Sequence, residues 1–529
     1  MLIVKDRGFY MSLARDITTV GSGTLMSRLL GFARDAGIAA LLGSGPLSEA
    51  FFAVLQLINF FRRLLADGAL NGAFVPVWLG LRSGEDGDAN ASRFTRRTLL
   101  TVGCLTGVIA LLVIVLAPAI IAVIAPGFDE GRREVASFYL LIVAPYIVLA
   151  GLVAVIAAAL NAENRVVAVT ISTVMFNVVM VLALAVAIFE TTELFYATIW
   201  LAFAVTAAGF TQLLLTATAW LLTGKRLSRV RLRVGDETRI FFTRAAPGLI
   251  AAGIPQLKLI AAAAIVSSSP AAVSWLYYAN RLYELPLGVA SITIAAVIVP
   301  RIAASLRSGD TGAFAAMQSR AFEIALGLAL PATAGFALLA VPIAGGLFER
   351  GAFGAGDTAA VATALAAICA GLPGHVLEKV FGAVSFAHGD TSTPMFAALT
   401  GLAAAIVGGM LLFPQYGYVG VAAAIAISGW VGATLLGLIL YRRGWLRLDQ
   451  NAGRRLPRIA LATLVMGAAV AFGLVLGHML SPALAASALG RLVMLVVLVM
   501  LGVAVYLTAL HILGVAKLKD LIAAIRHRA

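Results

Sequence analysis

Long apolar runs follow one another along the whole chain, with short polar segments between them. The run LLTVGCLTGVIALLVIVLAPAIIAVIAP at 99–126 has no polar face at helical spacing, which a helix of a large soluble protein would need. Runs of about 20 apolar residues are typical of helices that cross a lipid bilayer. The pattern therefore predicts an all-α polytopic membrane protein.

The apolar pattern divides into fourteen predicted spans. They lie near 17–43, 48–81, 98–125, 135–161, 166–189, 194–223, 240–267, 272–300, 321–347, 357–387, 392–413, 417–441, 459–480 and 488–514. Composition agrees with this interpretation, because only 12% of the 529 residues are charged, against about 25% in soluble domains.

The polar connections alternate in charge, which indicates the orientation of the spans. Most of the 39 Lys and Arg residues lie in or next to connections on one side. The connections on the other side have only Arg132, Arg133, Arg350 and Arg491. The positive-inside rule then places both termini in the cytoplasm, which requires an even number of spans. The net charge of +14 is thus a topology signal and does not indicate nucleic-acid binding.

The chain also repeats itself after roughly 225 residues. Phe51–Phe52 in EAFFAVLQL matches Tyr277–Tyr278 in WLYYANRLY, and Pro145 in span 4 matches Pro373 in span 10. Six spans per repeat is an even number, so both repeats enter the membrane in the same direction. The sequence therefore predicts two parallel six-helix repeats, with two additional C-terminal transmembrane helices.

This layout predicts five segments along the chain. They are an interfacial N-terminal segment (1–16), an N-lobe with spans 1–6 (17–224), a basic cytoplasmic linker (225–239), a C-lobe with spans 7–12 (240–442), and spans 13 and 14 with a basic cytoplasmic tail (443–529).

Several cationic residues fall inside the predicted spans, where lipid would be expected. They are Arg28, Arg34, Arg62, Arg63, Arg244, Lys258, Arg281 and Lys379. An arginine at mid-bilayer costs at least ~2.5–3.5 kcal/mol, so water, a carboxylate or an anionic ligand must compensate it.

Helical spacing offers some of these residues an acidic partner. Arg63 and Asp67 are four residues apart, and Glu284 follows Arg281 by three, so both pairs can form structural ion pairs. Snorkelling near the end of a span is the other structural interpretation.

Arg28 and Arg62 have no acid one helical turn away. The one acid on the same face as Arg28 is Asp35, seven residues on. An excess of guanidinium groups suits a phosphate, which arginine binds through two parallel hydrogen bonds. A lipid diphosphate carries phosphate and also reaches mid-membrane, so the sequence favours such a ligand.

Five segments of the chain resemble the MurJ (MviN) family of lipid II flippases. They are MSRLLGFARD (26–35), EAFFAVLQLINFFRRLLADGALNGAFVPV (49–77), APGF (125–128), SWLYYANRLYELPLGV (274–289) and DTSTP (390–394). The similarity extends along nearly the whole chain, in order.

The resemblance implies the fold of the multidrug/oligosaccharidyl-lipid/polysaccharide exporter superfamily. Spans 1, 2, 7 and 8 are then expected to line a central cavity, with a groove for the undecaprenyl tail at spans 13 and 14. By motif, the family's cavity arginines fall on Arg28, Arg34, Arg62 and Arg281, with Ser27, Asp35 and Asn59 beside them. Supporting or gating roles are expected for Glu49, Arg63, Asp67 and Glu284. The chain departs from some relatives by having Asn280 before the span 8 arginine and Glu49 in place of aspartate.

The implied function is to flip lipid II, the undecaprenyl-diphosphate-linked disaccharide-pentapeptide, from the cytoplasmic to the periplasmic leaflet by alternating access. The expected location is the bacterial inner membrane, with membrane lipids around a monomer and no nucleic-acid partner. The chain has no GxxxxGK[ST] loop for ATP, and we predict no cofactor.

Three other functions stay open. A flippase for another polyprenyl-diphosphate glycan would use the same arginines. A multidrug or cation antiporter of the same fold would favour unpaired carboxylates, and a membrane scaffold would tolerate alanine at Arg28 or Arg281. An enzyme is not indicated, because His375 and His388 are isolated and no catalytic or metal-ligand cluster stands out. We interpret His375 as a packing or cavity residue.

Overall fold

A computed structural model describes residues 3–66, 69–190, 193–224, 236–480 and 487–515, and within these ranges it contains helices and no strands. The helices of the first half are α1 (Ile3–Leu42), α2 (Pro46–Ala66), α3 (Ala69–Arg82), α4 (Gly87–Val115), α5 (Ala117–Ile124), α6 (Glu130–Val143), α7 (Pro145–Ala162), α8 (Val166–Glu190), α9 (Leu194–Leu221) and α10 (Asp236–Val266). Those of the second half are α11 (Ala272–Thr293), a π-helical turn (Ile294–Ile298), α12 (Val299–Arg307), α13 (Thr311–Leu338), α14 (Ala340–Phe348), α15 (Ala355–Cys369), α16 (Leu372–Ala387), α17 (Ser392–Arg442), α18 (Gln450–Leu480) and α19 (Ala488–Ile512).

The prediction of an all-α polytopic membrane protein is confirmed. Eleven helices or helix pairs of the described residues are long and apolar enough to cross a membrane, and the bent helix α10 makes up to twelve. The 51-residue α17 contains predicted spans 11 and 12, and α1 contains the first predicted span. Each predicted span thus overlaps one or two described helices, while the count of fourteen stays a prediction.

The break inside α17 has a clear local cause. Gly417 has φ 56° and ψ −144°, a conformation that a residue with a Cβ rarely adopts. Pro414, three residues earlier, also lacks the N–H that a continuous helix would use. The chain therefore turns between the two predicted spans at this point.

Breaks inside other spans recur at matching places in the two halves. Leu116 separates α4 from α5, Leu339 separates α13 from α14, and both have φ −98° and ψ 14°. Pro145 begins α7 and Pro373 lies in the first turn of α16, where the missing N–H of proline costs nothing. These matched breaks support the internal repeat.

The chain forms two compact units, Met1–Pro270 and Ala271–Ala529. In the first unit α8 packs on α1 and α9, α7 packs on α4 and α9, and α10 packs on α2 and α3. The predicted C-lobe begins at 240, so the unit boundary lies one helix later than the predicted lobe boundary. Residues 225–235 of the predicted linker lie outside the described residues, and the division into lobes stays a prediction.

Aromatic packing explains why α10 belongs to the first unit. Phe241 of α10 is fully buried, with its ring 6.1 Å from that of Phe74 on α3 and 6.2 Å from that of Phe94 on α4. Phe74 and Phe94 are themselves 4.9 Å apart. Such clusters stabilise through buried area and edge-to-face contact.

In the second unit, α18 and α19 pack on each other and on α13. Glu323 of α13 accepts hydrogen bonds from Arg320 and from Arg455 of α18. Tyr506 of α19 donates to the carbonyl of Gly327 on α13 at 2.8 Å. The two helices outside the repeat are therefore held to this unit by polar contacts.

The DTSTP motif forms the N-terminal cap of α17. Asp390 accepts hydrogen bonds from the backbone amides of Ser392 and Thr393, from both hydroxyls, and from Arg443. Burial by itself would raise the pKa of the Asp390 carboxyl, but these hydrogen bonds together hold the pKa well below its usual value. This motif residue is therefore a structural cap.

We predict that Phe241→Ala lowers the free energy of unfolding by about 3–5 kcal/mol, because it removes a buried ring and leaves a cavity. Unfolding of the detergent-purified protein, followed by circular dichroism, measures the change. Phe210→Ala is the matched control, because Phe210 is 58% exposed and its loss should have little effect. Equal destabilisation by both changes would contradict the assigned core.

We also predict that Asp390→Asn lowers Tm at pH 7, and that the difference from the native chain shrinks as pH falls. A carboxyl whose pKa is depressed in the folded state stabilises above its unfolded pKa, about 3.9, and loses this contribution as pH falls toward the folded pKa. Tm values of both proteins from pH 7 down to about pH 3 test this. A constant difference would show that the charge of Asp390 has no role in the cap.

Candidate functional site

A buried polar network joins α1 to α8. Arg34 donates through Nε and Nη2 to Oδ1 of Asp35, at 3.0 and 2.7 Å, and through Nη1 to Oδ1 of Asn177 at 3.0 Å. The amide of Asn177 then donates to the carbonyl and hydroxyl oxygens of Ser27. Arg34 is 5% exposed and Asp35 fully buried. The predicted residues Ser27, Arg34 and Asp35 thus meet around Asn177, which sequence reasoning missed.

Arg28, the other arginine of the motif, is not part of this network. It is half-buried, and it makes no hydrogen bond or ion pair with any residue that the structure describes. Asp35, the expected same-face partner of Arg28, pairs instead with the adjacent Arg34. This pairing leaves the guanidinium of Arg28 available to a ligand.

Arg62 of α2 lies close to the same network. Its Nε donates to Oδ1 of Asn59 at 3.3 Å, and its guanidinium carbon is 5.9 Å from the centre of the Phe176 ring. The guanidinium carbon of Arg34 is 5.8 Å from the same centre. A single aromatic ring of α8 therefore brings two predicted arginines together, since cations favour the face of a ring.

Arg62 also lines a cavity of about 190 Å³ inside the first unit. Its polar lining includes Asn71, Tyr146, Asn161, Ser172 and Gln212. Tyr146 donates to Gln212, and Asn161 donates to Asn71. The hydroxyl of Ser172, 2% exposed, has no hydrogen-bond partner among the described residues. These residues could have been found from the sequence, because they are polar residues inside apolar spans.

Arg281 and Glu284 lie on α11 in the second unit. Nη1 of Arg281 donates to Oε2 of Glu284 at 3.2 Å, so the ion pair predicted from their spacing is present. Their side chains are 29% and 22% exposed, and an incoming anion can therefore compete for the guanidinium. Arg63 is half-buried, but its predicted partner Asp67 lies outside the described residues.

Glu49 is almost fully buried at the start of α2 and pairs with Arg132 of α6 at 2.9 Å. Arg132 also donates to Asp129, the N-cap of α6, and to the carbonyl of Ser267 after α10. The amide of Gly127 donates to the hydroxyl of Ser267 at 2.8 Å. Arg132 therefore ties three helices together, a role that its position in a predicted connection did not reveal.

Gly127, in the APGF motif, is required by this close packing. A Cβ there would lie 2.2 Å from the backbone nitrogen of Ser268. The pKa of Asp129 is lowered, chiefly because the backbone amide of Arg132 donates to its carboxylate. A charged Asp129 in turn helps to orient the Arg132 guanidinium.

No group of three or more His, Cys, Asp or Glu side chains with metal-binding geometry occurs among the described residues. Cys104 and Cys369 are free thiols. Arginine, asparagine and hydroxyl side chains dominate the polar positions instead. This chemistry suits an anion with many hydrogen-bond acceptors.

Comparison with known proteins agrees with the geometry. A family model described as "Lipid II flippase MurJ" matches residues 38–484. The chain is 37% identical to a probable lipid II flippase MurJ of Rhizobium meliloti, over 87% of this chain and 86% of that protein. It is 33% identical to a probable lipid II flippase MurJ of Rhizobium tropici, over 95% of each.

Solved structures show the same fold. A structure titled lipid II flippase MurJ, inward closed conformation, matches with a TM-score of 0.77 and 22% identity, covering 95% of this chain and 99% of that one. An inward-facing multidrug resistance transporter of the MATE family matches with a TM-score of 0.65 and 15% identity, covering 79% and 94%. The expected superfamily fold is therefore confirmed, and by its sequence the chain belongs to the MurJ family of lipid II flippases.

Proposed function

We propose that this protein flips lipid II from the cytoplasmic to the periplasmic leaflet of the bacterial inner membrane. The observation that carries the proposal is the family match over residues 38–484, together with relatives that are named for this activity. Membership in a family of transporters confirms the prediction that the chain is not an enzyme, and the helices confirm a multi-pass membrane protein.

The diphosphate of lipid II is the part that the cavity arginines would bind. Arg28 is the strongest candidate, because its half-buried guanidinium has no partner among the described residues. A cation inside a membrane protein calls for a compensating anion, and a diphosphate supplies one with acceptors matched to the arginine fork.

The other three arginines contribute in different ways. Arg62 stands beside Asn59 at the edge of a polar cavity and would add a second donor group. Arg281 would exchange the carboxylate of Glu284 for phosphate. All three nitrogens of Arg34 already donate to Asp35 or Asn177, so its main contribution would be to hold α1 against α8 and thereby position Arg28.

Transport would proceed by alternating access, with both termini in the cytoplasm and the protein acting as a monomer. Such a cycle needs bodies that move as units, and the chain forms two. The tail would stay in lipid along α18 and α19. The membrane potential, about 2.3 kcal/mol per charge per 100 mV, would be the source of energy.

An antiporter for drugs or cations is the principal competing function, because MATE transporters share the fold. To transport a cation, the protein would need carboxylates that can exchange an arginine partner for the transported cation. The buried Asp35 and Glu49 are each paired with an arginine, which favours the flippase. A flippase for another polyprenyl-diphosphate glycan would use the same groups, and substrate competition would separate the two.

We predict that Arg28→Ala weakens binding of a polyprenyl diphosphate by at least about tenfold, since a hydrogen bond to a charged group contributes ~1.5–3 kcal/mol. Binding to the purified protein in nanodiscs measures the loss. In cells depleted of the native protein, the variant should fail to restore growth, and lipid II should accumulate on the cytoplasmic side. Arg93→Ala is the control, because Arg93 is an exposed arginine on α4. Normal rescue by a well-expressed Arg28→Ala protein would remove Arg28 from the site.

A second prediction separates structure from binding at Arg34. Arg34→Ala should destabilise the protein by about 3–5 kcal/mol, because it leaves the carboxylate of Asp35 buried without its cation. The double change Arg34→Leu with Asp35→Leu should recover most of the stability. Thermal unfolding measures both effects, and diphosphate binding by the stable double variant measures the ligand contribution of Arg34. Unchanged stability in Arg34→Ala would contradict the structural role of the pair.

A further inference from the structure

Two polar side chains lie one helical turn apart on α16, within a helix pair apolar enough to cross the membrane. They are His375 and Glu378, and both are half-buried. Ionisable groups inside membrane spans are costly and are usually retained for a function. Neither residue has a role in the proposed binding of the diphosphate.

The neighbouring helix α17 is shaped to admit both side chains. A Cβ at Gly429 would lie 2.5 Å from Nδ1 of His375, and a Cβ at Gly432 would lie 3.0 Å from the carboxyl carbon of Glu378. Both glycines are buried, one turn apart on α17. The imidazole and the carboxylate therefore occupy a slot that exists because α17 has no side chains there.

Nδ1 of His375 lies between two oxygens of different chemistry. The hydroxyl of Tyr283 on α11 is 2.8 Å away, and the carbonyl of Gly371 is 3.1 Å away. When Nδ1 carries no proton, Tyr283 donates to it. When the imidazole is protonated, Nδ1–H donates instead, and the oxygen of Tyr283 can only accept. Uptake of a proton at Nδ1 thus reverses the hydrogen bond between α16 and α11.

The surroundings supply negative charge for an imidazolium. Glu378 lies three residues from His375 on α16, and Glu284 directly follows Tyr283 on α11, whereas the buried Cys369 of α15 is a neutral thiol. Lys379, the next residue on α16, is exposed.

The other helices packed on α16 carry charges that are paired or distant. On α13, Thr333 lies at the level of Cys369 and Phe322 packs on Phe381, so His375 is at the level of about residue 327, roughly 6 Å along the helix from Glu323. Glu323 is almost fully buried and is paired with Arg320 and Arg455. Arg301 and Arg307, on α12, lie roughly 27 Å or more beyond Tyr283 along the chain of helices. Within about one helical turn of His375 and Tyr283 on their own helices, the charged residues are thus Glu378, Lys379 and the Arg281–Glu284 pair.

Tyr283 connects this site to the proposed diphosphate site, because α11 carries it between Arg281 and Glu284. We propose that His375 is a proton-binding site, and that Tyr283 transmits its protonation state to the Arg281–Glu284 pair. The ligand is a proton, and the consequence is that binding at Arg281 depends on pH. The second part rests on the proposed function, whereas proton binding itself does not.

Proton binding can be measured directly on the full-length protein in nanodiscs, labelled with ¹³C-histidine. The chain has five histidines, and His375→Gln assigns the relevant resonance by its loss. We expect this resonance to titrate between about pH 5 and 8, and Tyr283→Phe should move its midpoint. A His375 resonance that does not titrate in this range, or that Tyr283→Phe leaves unchanged, would overturn the proposal.

Coupling is tested with a short-chain polyprenyl diphosphate as the probe. Its affinity for the native chain should change by at least about fivefold between pH 6 and 8, and the probe should shift the His375 midpoint reciprocally. His375→Gln and Tyr283→Phe should each abolish most of this pH dependence. Gly429→Ala, which displaces the imidazole without removing it, should reduce it too. His388→Gln is the matched control, because His388 ends the same helix and stacks on Trp445.

The possible failures are distinguishable. Full pH dependence in His375→Gln, or its loss in His388→Gln, would overturn the coupling while leaving the proposed function intact. Absence of probe binding by the native chain at every pH would contradict the proposed function, and the titration of His375 would still decide whether a proton binds there.

Discussion

Compensation of charge within apolar helices is the constraint on which the rest of this structure depends. A guanidinium or carboxylate among apolar spans must find a partner, and several of the partners found here lie on another helix. Arg34, Asp35 and Asn177 join α1 to α8, and Glu49 with Arg132 joins α2 to α6. Polar contacts therefore help to specify which helices of this protein pack against each other.

The same constraint separates the arginines by role. A guanidinium whose three nitrogens all donate, such as that of Arg34, holds helices together, whereas a half-buried one without a described partner, as at Arg28, would be open to an anion. Arg281 lies between these cases, because its carboxylate partner Glu284 is partly exposed. A site that releases its cargo benefits from this mixture, since an anion held by every available arginine would leave slowly.

Local sequence rules predicted contacts within one helix and missed contacts between helices. The Arg281–Glu284 pair follows from three-residue spacing, and it is present. Adjacent residues do not face each other on a helix, yet Arg34 pairs with Asp35, because Asn177 on another helix holds one side of the guanidinium. The roles of Arg132 and Tyr283 were hidden in the same way, since their partners lie 83 and 92 residues away in the chain.

By itself the sequence determined the fold class, the apolar segments that form the helices, the matching positions of Pro145 and Pro373, and the family. These properties depend on hydropathy, on backbone chemistry and on motifs, all of which are local in the chain. Only the tertiary structure decided that α10 packs with the first unit and that Asp35 forms its ion pair with Arg34. It also decided that two glycines of α17 leave space for His375 and Glu378. Those outcomes depend on which helix faces come together, and the pattern within any single helix does not contain that information.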